Sequence, residues 1–318
     1  MKIDDLLIKI PENEFAGLLQ RDKVLSDVKE HLTPWLRLMQ DLVNYGTNLI
    51  PRCFGSSSRN LADTVVIAIL LRQAVAMLDA SEILLSNGAV HSAKLQMRGL
   101  LEAVLYIEWI LIGDLEKKTD YYYVHNLRRK RRWAERIQGT TPAGREFIEM
   151  MNAIGVPMQR EAAEAAKQQI PEIDRVLAQP RLAAINSDFE NHKRGKNDVS
   201  WYALLGPRNL REVAKAVGKL AEYVMIYSGG SEAMHGSNYE QHVSFNSSRV
   251  AFTPIRHLKE FGLVYHFSVT FALSTYRKII ETYRAGEIGS FNRKYLEKWR
   301  KEYMNMPRVT INMTKSTI

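Results

Sequence analysis

The chain has one cysteine in 318 residues, Cys53, so neither a disulfide framework nor a cysteine-built zinc site can form within it. A reducing compartment is the natural setting for such a composition. There is no Gly-x4-Gly-Lys-Ser/Thr loop and no Gly-x-Gly-x2-Gly after a strand, which removes the common phosphate-loop and dinucleotide-binding classes. His-Glu-x2-His and Gly-x-Ser-x-Gly are missing as well. The eight histidines, at 31, 91, 125, 192, 235, 242, 257 and 266, show no metal-ligand spacing with carboxylate support, and the expectation is no metal and no other cofactor. Uninterrupted apolar runs are short: Val65 to Leu71 stops at Arg72, and Val104 to Ile112 contains Glu108, against the roughly 18 residues of a membrane span. The opening residues Met1 to Ile10 mix both charge signs, unlike a secretory signal. Together these absences lead us to expect a cytoplasmic chain with no membrane partner. No repeat and no Pro/Gly/Ser-rich linker divides it.

Apolar residues make up 46% and charged residues 25%, the proportions of a globular protein. Lys and Arg outnumber Asp and Glu by 44 to 35, a net charge of +9 that favours an anionic partner. The apolar positions recur at helical spacing almost throughout, so the expected fold is all-α, a helical bundle. Its centre is a hairpin of two long helices, 59–86 and 89–112, separated by the stop signal Asn87-Gly88, with helices 208–235 and 255–284 packed against it. We assign 1–58 as an N-terminal helical arm, 59–303 as the main bundle and 304–318 as a tail. In the arm, 22–50 reads as helix with a boundary at Pro34 and an end at Pro51 and Gly55. Further helices are expected at 115–138, at 141–179 with breaks at Pro157 and Pro171, and at 291–303. Trp201-Tyr202 precedes a structured turn at Gly206-Pro207, and Val243 to Phe245 has weak strand propensity.

Three stretches carry candidate chemistry. A helix running from Leu210 to His235 would align Tyr227, Ser231 and His235 on one face, with Ser228 and Glu232 on the next row. Gly229-Gly230 suggests close approach by another backbone, and Gly236-Ser237 ends the helix. The plainer reading makes His235 a hydrogen-bonded core residue; the functional one puts Ser231, His235 and Ser237 on a pocket. The second stretch is Lys94, Arg98 and Glu102, a polar row at four-residue steps on an otherwise apolar helix. It is either a surface ion pair or an inward-facing group that needs partners. The third is Arg128, Arg129, Lys130, Arg131 and Arg132 beside Tyr121-Tyr-Tyr123 and Trp133, with Lys193 and Arg194 in a later basic loop. Basic residues interleaved with aromatics suit phosphate contact and base stacking, and the alternative is a solvated basic face.

Arg98-x3-Glu102, Trp201-Tyr202 before a Gly-Pro turn, and Tyr227-Ser228 followed by Ser231-x3-His235-Gly236-Ser237 resemble a widespread bacterial family of uncharacterised all-helical proteins. The resemblance covers residues of about 60 to 280. Such proteins are similar to the helical nucleotide-binding and ribonuclease proteins of toxin–antitoxin and abortive-infection systems. The resemblance implies a metal-independent ribonuclease of bacterial defence, with His235 as general acid or base and Arg98 stabilising phosphate charge. Glu102 would orient one of them, and Ser231 or Ser237 would position the substrate. One departure is plain: those ribonucleases carry Arg-x4–6-His on one helix, and no arginine here has a histidine at that distance. Arg98 would therefore have to meet His235 from a different helix. Two other functions stay open, a non-catalytic module binding nucleic acid, RNA first, or a companion protein, and a sensor of a small anionic ligand. The apolar hairpin also makes a homodimer an expected possibility.

Overall fold

The structure, a computed structural model, describes residues 16–55, 61–193, 198–227, 242–246, 249–305 and 316–317. Its chain divides into two compact units, one formed by 1–58, 67–108 and 218–318, the other by 59–66 and 109–217.

In the first unit, α1 (Ala16–Leu19) and α2 (Arg21–His31) lead into α3 (Thr33–Gly55). Pro34 stands in the first turn of α3, as its fixed φ favours. Pro51 does not end the helix, which continues to Gly55, the second of the two expected stops. Two long helices follow, α4 (Leu61–Ser86) and α5 (Val90–Ile110), and they form the central hairpin of an all-α fold. Gly88 turns the chain at φ 67, a conformation that glycine adopts without steric cost. Gly99 of α5 lets the Met77 sulfur of α4 approach to 3.0 Å of where a Cβ would sit.

Helix α4 buries Val66, Ile67, Leu70, Leu71, Ala74, Val75, Leu78 and Leu85, which lie on several faces. Over Asp63–Ser86 it is long and apolar enough to cross a membrane by length and composition, and half of that window is enclosed by the protein. Arg72 divides it, so its uninterrupted apolar runs are short although its mean hydropathy is high. An all-round apolar helix belongs at the centre of a core, which is how α3 and α5 use it.

The expected helix 210–235 is broken. In its place are α10 (Leu210–Ala216) and α11 (Leu220–Glu222), whose last turn widens through Tyr223–Tyr227. Gly218, at φ 75, causes the break and is also where the chain passes from one unit to the other. A small antiparallel hairpin, β1 (Val243–Asn246) and β2 (Arg249–Phe252), matches the weak strand propensity there. Ser316–Thr317 (β3) pairs with β2. The last long helix, α12, covers Phe261–Tyr283, so the segment 255–260 expected as helix is irregular. Helix α12 packs on α3, where the Tyr276 hydroxyl donates to the Leu42 carbonyl at 3.0 Å. Short helices α13 (Ile288–Lys294) and α14 (Arg300–Met304) close the unit, and Trp299 between them joins Tyr45 and Phe291 in an aromatic cluster.

The second unit is organised on α6, Leu115–Gln138, whose observed limits are those the sequence predicts. Both ends are local: Asp114 caps by accepting from the Lys117 N–H, and Gly139 stops the helix at φ 66. Helices α7 (Pro142–Ala153), α8 (Arg160–Leu177) and α9 (Pro180–Asn191) pack on it. Pro157 falls in the break between α7 and α8, but Pro171 sits inside α8 and breaks nothing. The 3-10 turn Trp201–Leu205 places Trp201 against Trp109 and Tyr122, with ring centroids 5.2 and 5.3 Å away.

Candidate functional site

Helix α5 carries an unusual load of charge for a core element. Near its C-terminal end Glu108 is fully enclosed, and its carboxylate is held by Lys278 of α12 and by Lys219, whose Nζ lies 3.5 Å away. A buried carboxylate needs such partners, and here two ammonium groups supply them. About three turns earlier the pattern reverses, and a cation has no anion among the described residues.

The Arg98 guanidinium lies over the ring of Tyr227, 3.9 Å from its centroid. Tyr227 in turn stacks on Tyr223, with centroids 4.7 Å apart and planes at 18°. The widened turn 223–227 produces this ladder by setting the two rings side by side. Among the described residues Arg98 Nη1, which is buried, has no hydrogen-bond partner, and no carboxylate pairs with Arg98. Glu102, the expected partner, instead accepts from the Tyr106 hydroxyl at 2.9 Å. Lys94, the third member of the row, is paired with Glu260. So the row that the sequence marks is real, but each member has a separate fate. His235, Ser231 and Ser237 lie outside the described residues.

The basic run on α6 is largely neutralised by its own unit. Arg128 is buried, with 7% of its side chain exposed, and makes a two-pronged pair with Asp198 at 2.9 Å on both arms. It also donates to Glu190 at 2.7 Å and to Asn186. Arg131 pairs with Asp174 at 2.6 Å and with Glu135, and Arg132 pairs with Asp198. Lys193 pairs with Glu190, and Arg194 lies outside the described residues. A cleft of about 830 Å³ opens among these groups. Its four cations, Arg128, Arg131, Arg132 and Lys193, face Glu135, Asp174, Glu190 and the nearby Asp198, so the charges balance. Only Arg129 and Lys130 of the five-residue run are exposed.

This separates two experiments that the sequence alone would merge. Replacing Arg129 and Lys130 together with alanine will leave stability within about 0.5 kcal/mol, because neither is enclosed. Any fall in nucleic-acid affinity of that double variant reports binding. Replacing Arg128 will report folding, and urea denaturation of both variants distinguishes them. The sequence could not show this, since Asp174, Glu190 and Asp198 stand more than 40 residues along the chain from the arginines they neutralise, and only Glu135 is a helix neighbour.

No curated protein and no solved structure matches the chain. The model of one protein family does match, over residues 64–249, which include α5 from end to end, the whole of α6 and the Tyr223–Tyr227 turn. That span is more than half of the 318 residues, and the chain belongs to this family of unknown function, DUF5677.

Proposed function

We propose that this chain binds nucleic acid, RNA first, with Arg98 of α5 as its phosphate anchor and the Tyr223–Tyr227 pair as an adjoining stacking surface. The observation that carries the reading is the state of Arg98: a cation braced by an aromatic ring, with a buried donor and no anion among the described residues. Leaving a buried charged donor unmade costs about 1–3 kcal/mol, which a phosphate oxygen would recover. Arginine over aromatic rings is also the arrangement that single-stranded nucleic acid uses, since every base offers a π-face. The basic residues of α6 contribute less to this reading than their number suggests, because most are already paired.

Cleavage as well as binding is a second reading, and one observation favours it. Tyr227, under Arg98, immediately precedes the stretch that carries Ser231, His235 and Ser237. A metal-independent ribonuclease needs an imidazole to move the proton and a cation to hold the phosphorane charge, and Arg98 with His235 would supply both. A role in bacterial defence, in the cytoplasm, belongs to this reading.

The test uses purified wild type, Arg98→Ala and His235→Ala of matched thermal midpoint, with single-stranded RNA, single-stranded DNA and duplex DNA. Wild type will bind RNA, and Arg98→Ala will lose about tenfold or more, the worth of one charge-assisted hydrogen bond. The salt dependence will flatten by about one phosphate contact. Equal affinity of wild type and Arg98→Ala, or no binding to any nucleic acid, overturns the proposal. RNA cleavage by wild type that His235→Ala loses, with binding kept, establishes the ribonuclease; no cleavage by either leaves a binding protein.

A further inference from the structure

Where α5 begins, a second feature stands apart from Arg98. His91 and Lys94 face His242, His257, Lys259 and Glu260 across a cavity of about 240 Å³. Backbone bonds build its walls. The His257 N–H donates to the Gly88 carbonyl at 2.9 Å, fastening the irregular segment before α12 to the hairpin turn, and the Thr253 N–H donates to the His242 carbonyl at 2.8 Å. The His91 and His242 rings meet edge to face, centroids 5.0 Å apart. Glu260 holds φ 65, a left-handed conformation that non-glycine residues avoid, while its carboxylate pairs with Lys94. Strain of this kind collects at binding sites, where the surroundings enforce it.

The chemistry of the lining selects the ligand class. With neutral imidazoles the lysines and Glu260 sum to +1, and one imidazole proton makes +2. Among the described residues no three histidine, cysteine or acidic side chains take a metal-holding arrangement, and two ammonium groups would repel a cation. His257 Nδ1 is buried and has no hydrogen-bond partner among the described residues. The volume is below the roughly 300 Å³ at which pockets for larger organic ligands begin, so it suits a phosphoryl group and part of its ester rather than a strand.

We propose that this cavity holds a phosphate monoester, the terminal phosphoryl group of a nucleic-acid strand or of a free nucleotide, with His91, His257 and Lys94 as its donors. This rests on the nucleic-acid reading of α5 above: Lys94 is one helical turn from Arg98, about 6 Å along the axis, so an end phosphate here and an internal phosphodiester at Arg98 share one helix face.

Burial holds His257 below its ordinary value of 6.5, and Lys94, Lys259 and His91 around it push the same way, against Glu260. An incoming dianion reverses the balance, so affinity rises as pH falls from 8 to 6. The same depression fixes the sign for the empty protein. The stability it contributes is present above 6.5 and is lost as pH falls from there toward the lower folded value; His125, also lowered by burial, acts in the same direction. Denaturant midpoints at pH 8 and pH 5.5 will therefore differ, the higher belonging to pH 8.

The deciding experiment is calorimetric titration of the full chain with adenosine 5′-monophosphate, with adenosine, and with an RNA oligomer unphosphorylated, 5′-phosphorylated or 3′-phosphorylated. Imidazole proton resonances are followed in parallel. The monophosphate will bind and adenosine will not; His257→Gln and His91→Gln will each weaken it at least tenfold, and Lys259→Gln, on the exposed rim, about threefold without risk to folding. Terminal phosphorylation will tighten RNA binding in wild type and not in His257→Gln. Adenosine binding as well as its monophosphate, or monophosphate affinity unchanged in all three variants, overturns the cavity assignment. RNA binding that depends on Arg98 but ignores the terminal phosphate also overturns it and leaves the RNA reading standing. Monophosphate binding through His257 without any RNA binding keeps the cavity, as a free-nucleotide site, and removes the RNA reading.

Discussion

Asp198→Ala will lower the unfolding free energy by about 3–5 kcal/mol, the cost of leaving a buried charge without its partner. The thermal midpoint will fall by about 10 °C on the scaling for domains of this size. The Asp198 carboxylate is fully enclosed and takes both arms of Arg128 as well as Arg132, so its removal strands the buried Arg128 guanidinium with Glu190 alone as counter-ion. Asp198→Asn keeps the shape and one acceptor and will lose less. Replacing Arg128 and Asp198 together with leucine will destabilise less than Asp198→Ala, because no charge is then left unpaired. If Asp198→Ala unfolds at the wild-type denaturant midpoint, the network on α6 contributes nothing.

The pH dependence of this network has a definite sign. Burial alone would raise the Asp198 carboxyl, but the hydrogen bonds from Arg128 and Arg132 outweigh it and hold the group below its ordinary 3.8. A depressed carboxylate contributes stability that is present above 3.8 and lost as pH falls through its folded value. Wild type will therefore lose stability in that acid window more steeply than Asp198→Asn.

Gly46→Ala will destabilise by about 2 kcal/mol, although helix propensity taken alone predicts a gain of about 1 kcal/mol. Gly46 lies inside α3, where an added methyl would meet the Tyr276 hydroxyl, the Val75 Cγ2 at 2.5 Å and the Tyr276 Cζ at 2.8 Å. The Tyr276 ring is fully buried and anchored through its hydroxyl to Leu42, so it has no room to retreat. Overpacking costs of about 1–3 kcal/mol or more exceed the propensity gain. Chemical denaturation decides the sign, and a more stable Gly46→Ala would mean that Tyr276 can shift. The companion change Tyr276→Phe removes the hydroxyl that meets the methyl, and combining it with Gly46→Ala will recover part of the loss.

What could be read from the sequence shares one property: the interactions that fix it lie within a few residues of each other. The hairpin of α4 and α5 follows from a continuous apolar pattern interrupted by Asn87-Gly88, where the chain needs the left-handed conformation that Gly88 adopts. Asp114 and Gly139 bound α6 in the same local way. Gly218 is as local a signal, but the apolar positions continue in phase across it and hide the break it makes. Pro51 and Pro171 are weaker stops than their backbone chemistry suggests, since neither ends the helix that contains it.

The sequence by itself determined the all-α class, the central hairpin and the presence of a polar row on α5, because propensity, capping and periodicity act along the chain. Tertiary structure alone decided the fate of each charge. Arg128 is spent on Asp198, 70 residues away, and Lys94 on Glu260, 166 residues away, while Arg98, over Tyr227, keeps a donor with no partner among the described residues. Likewise three histidines that look scattered along the chain line one cavity. The reason is physical: a charge's free energy depends on which groups and how much water lie within a few ångströms, and sequence separation carries almost no information about that distance.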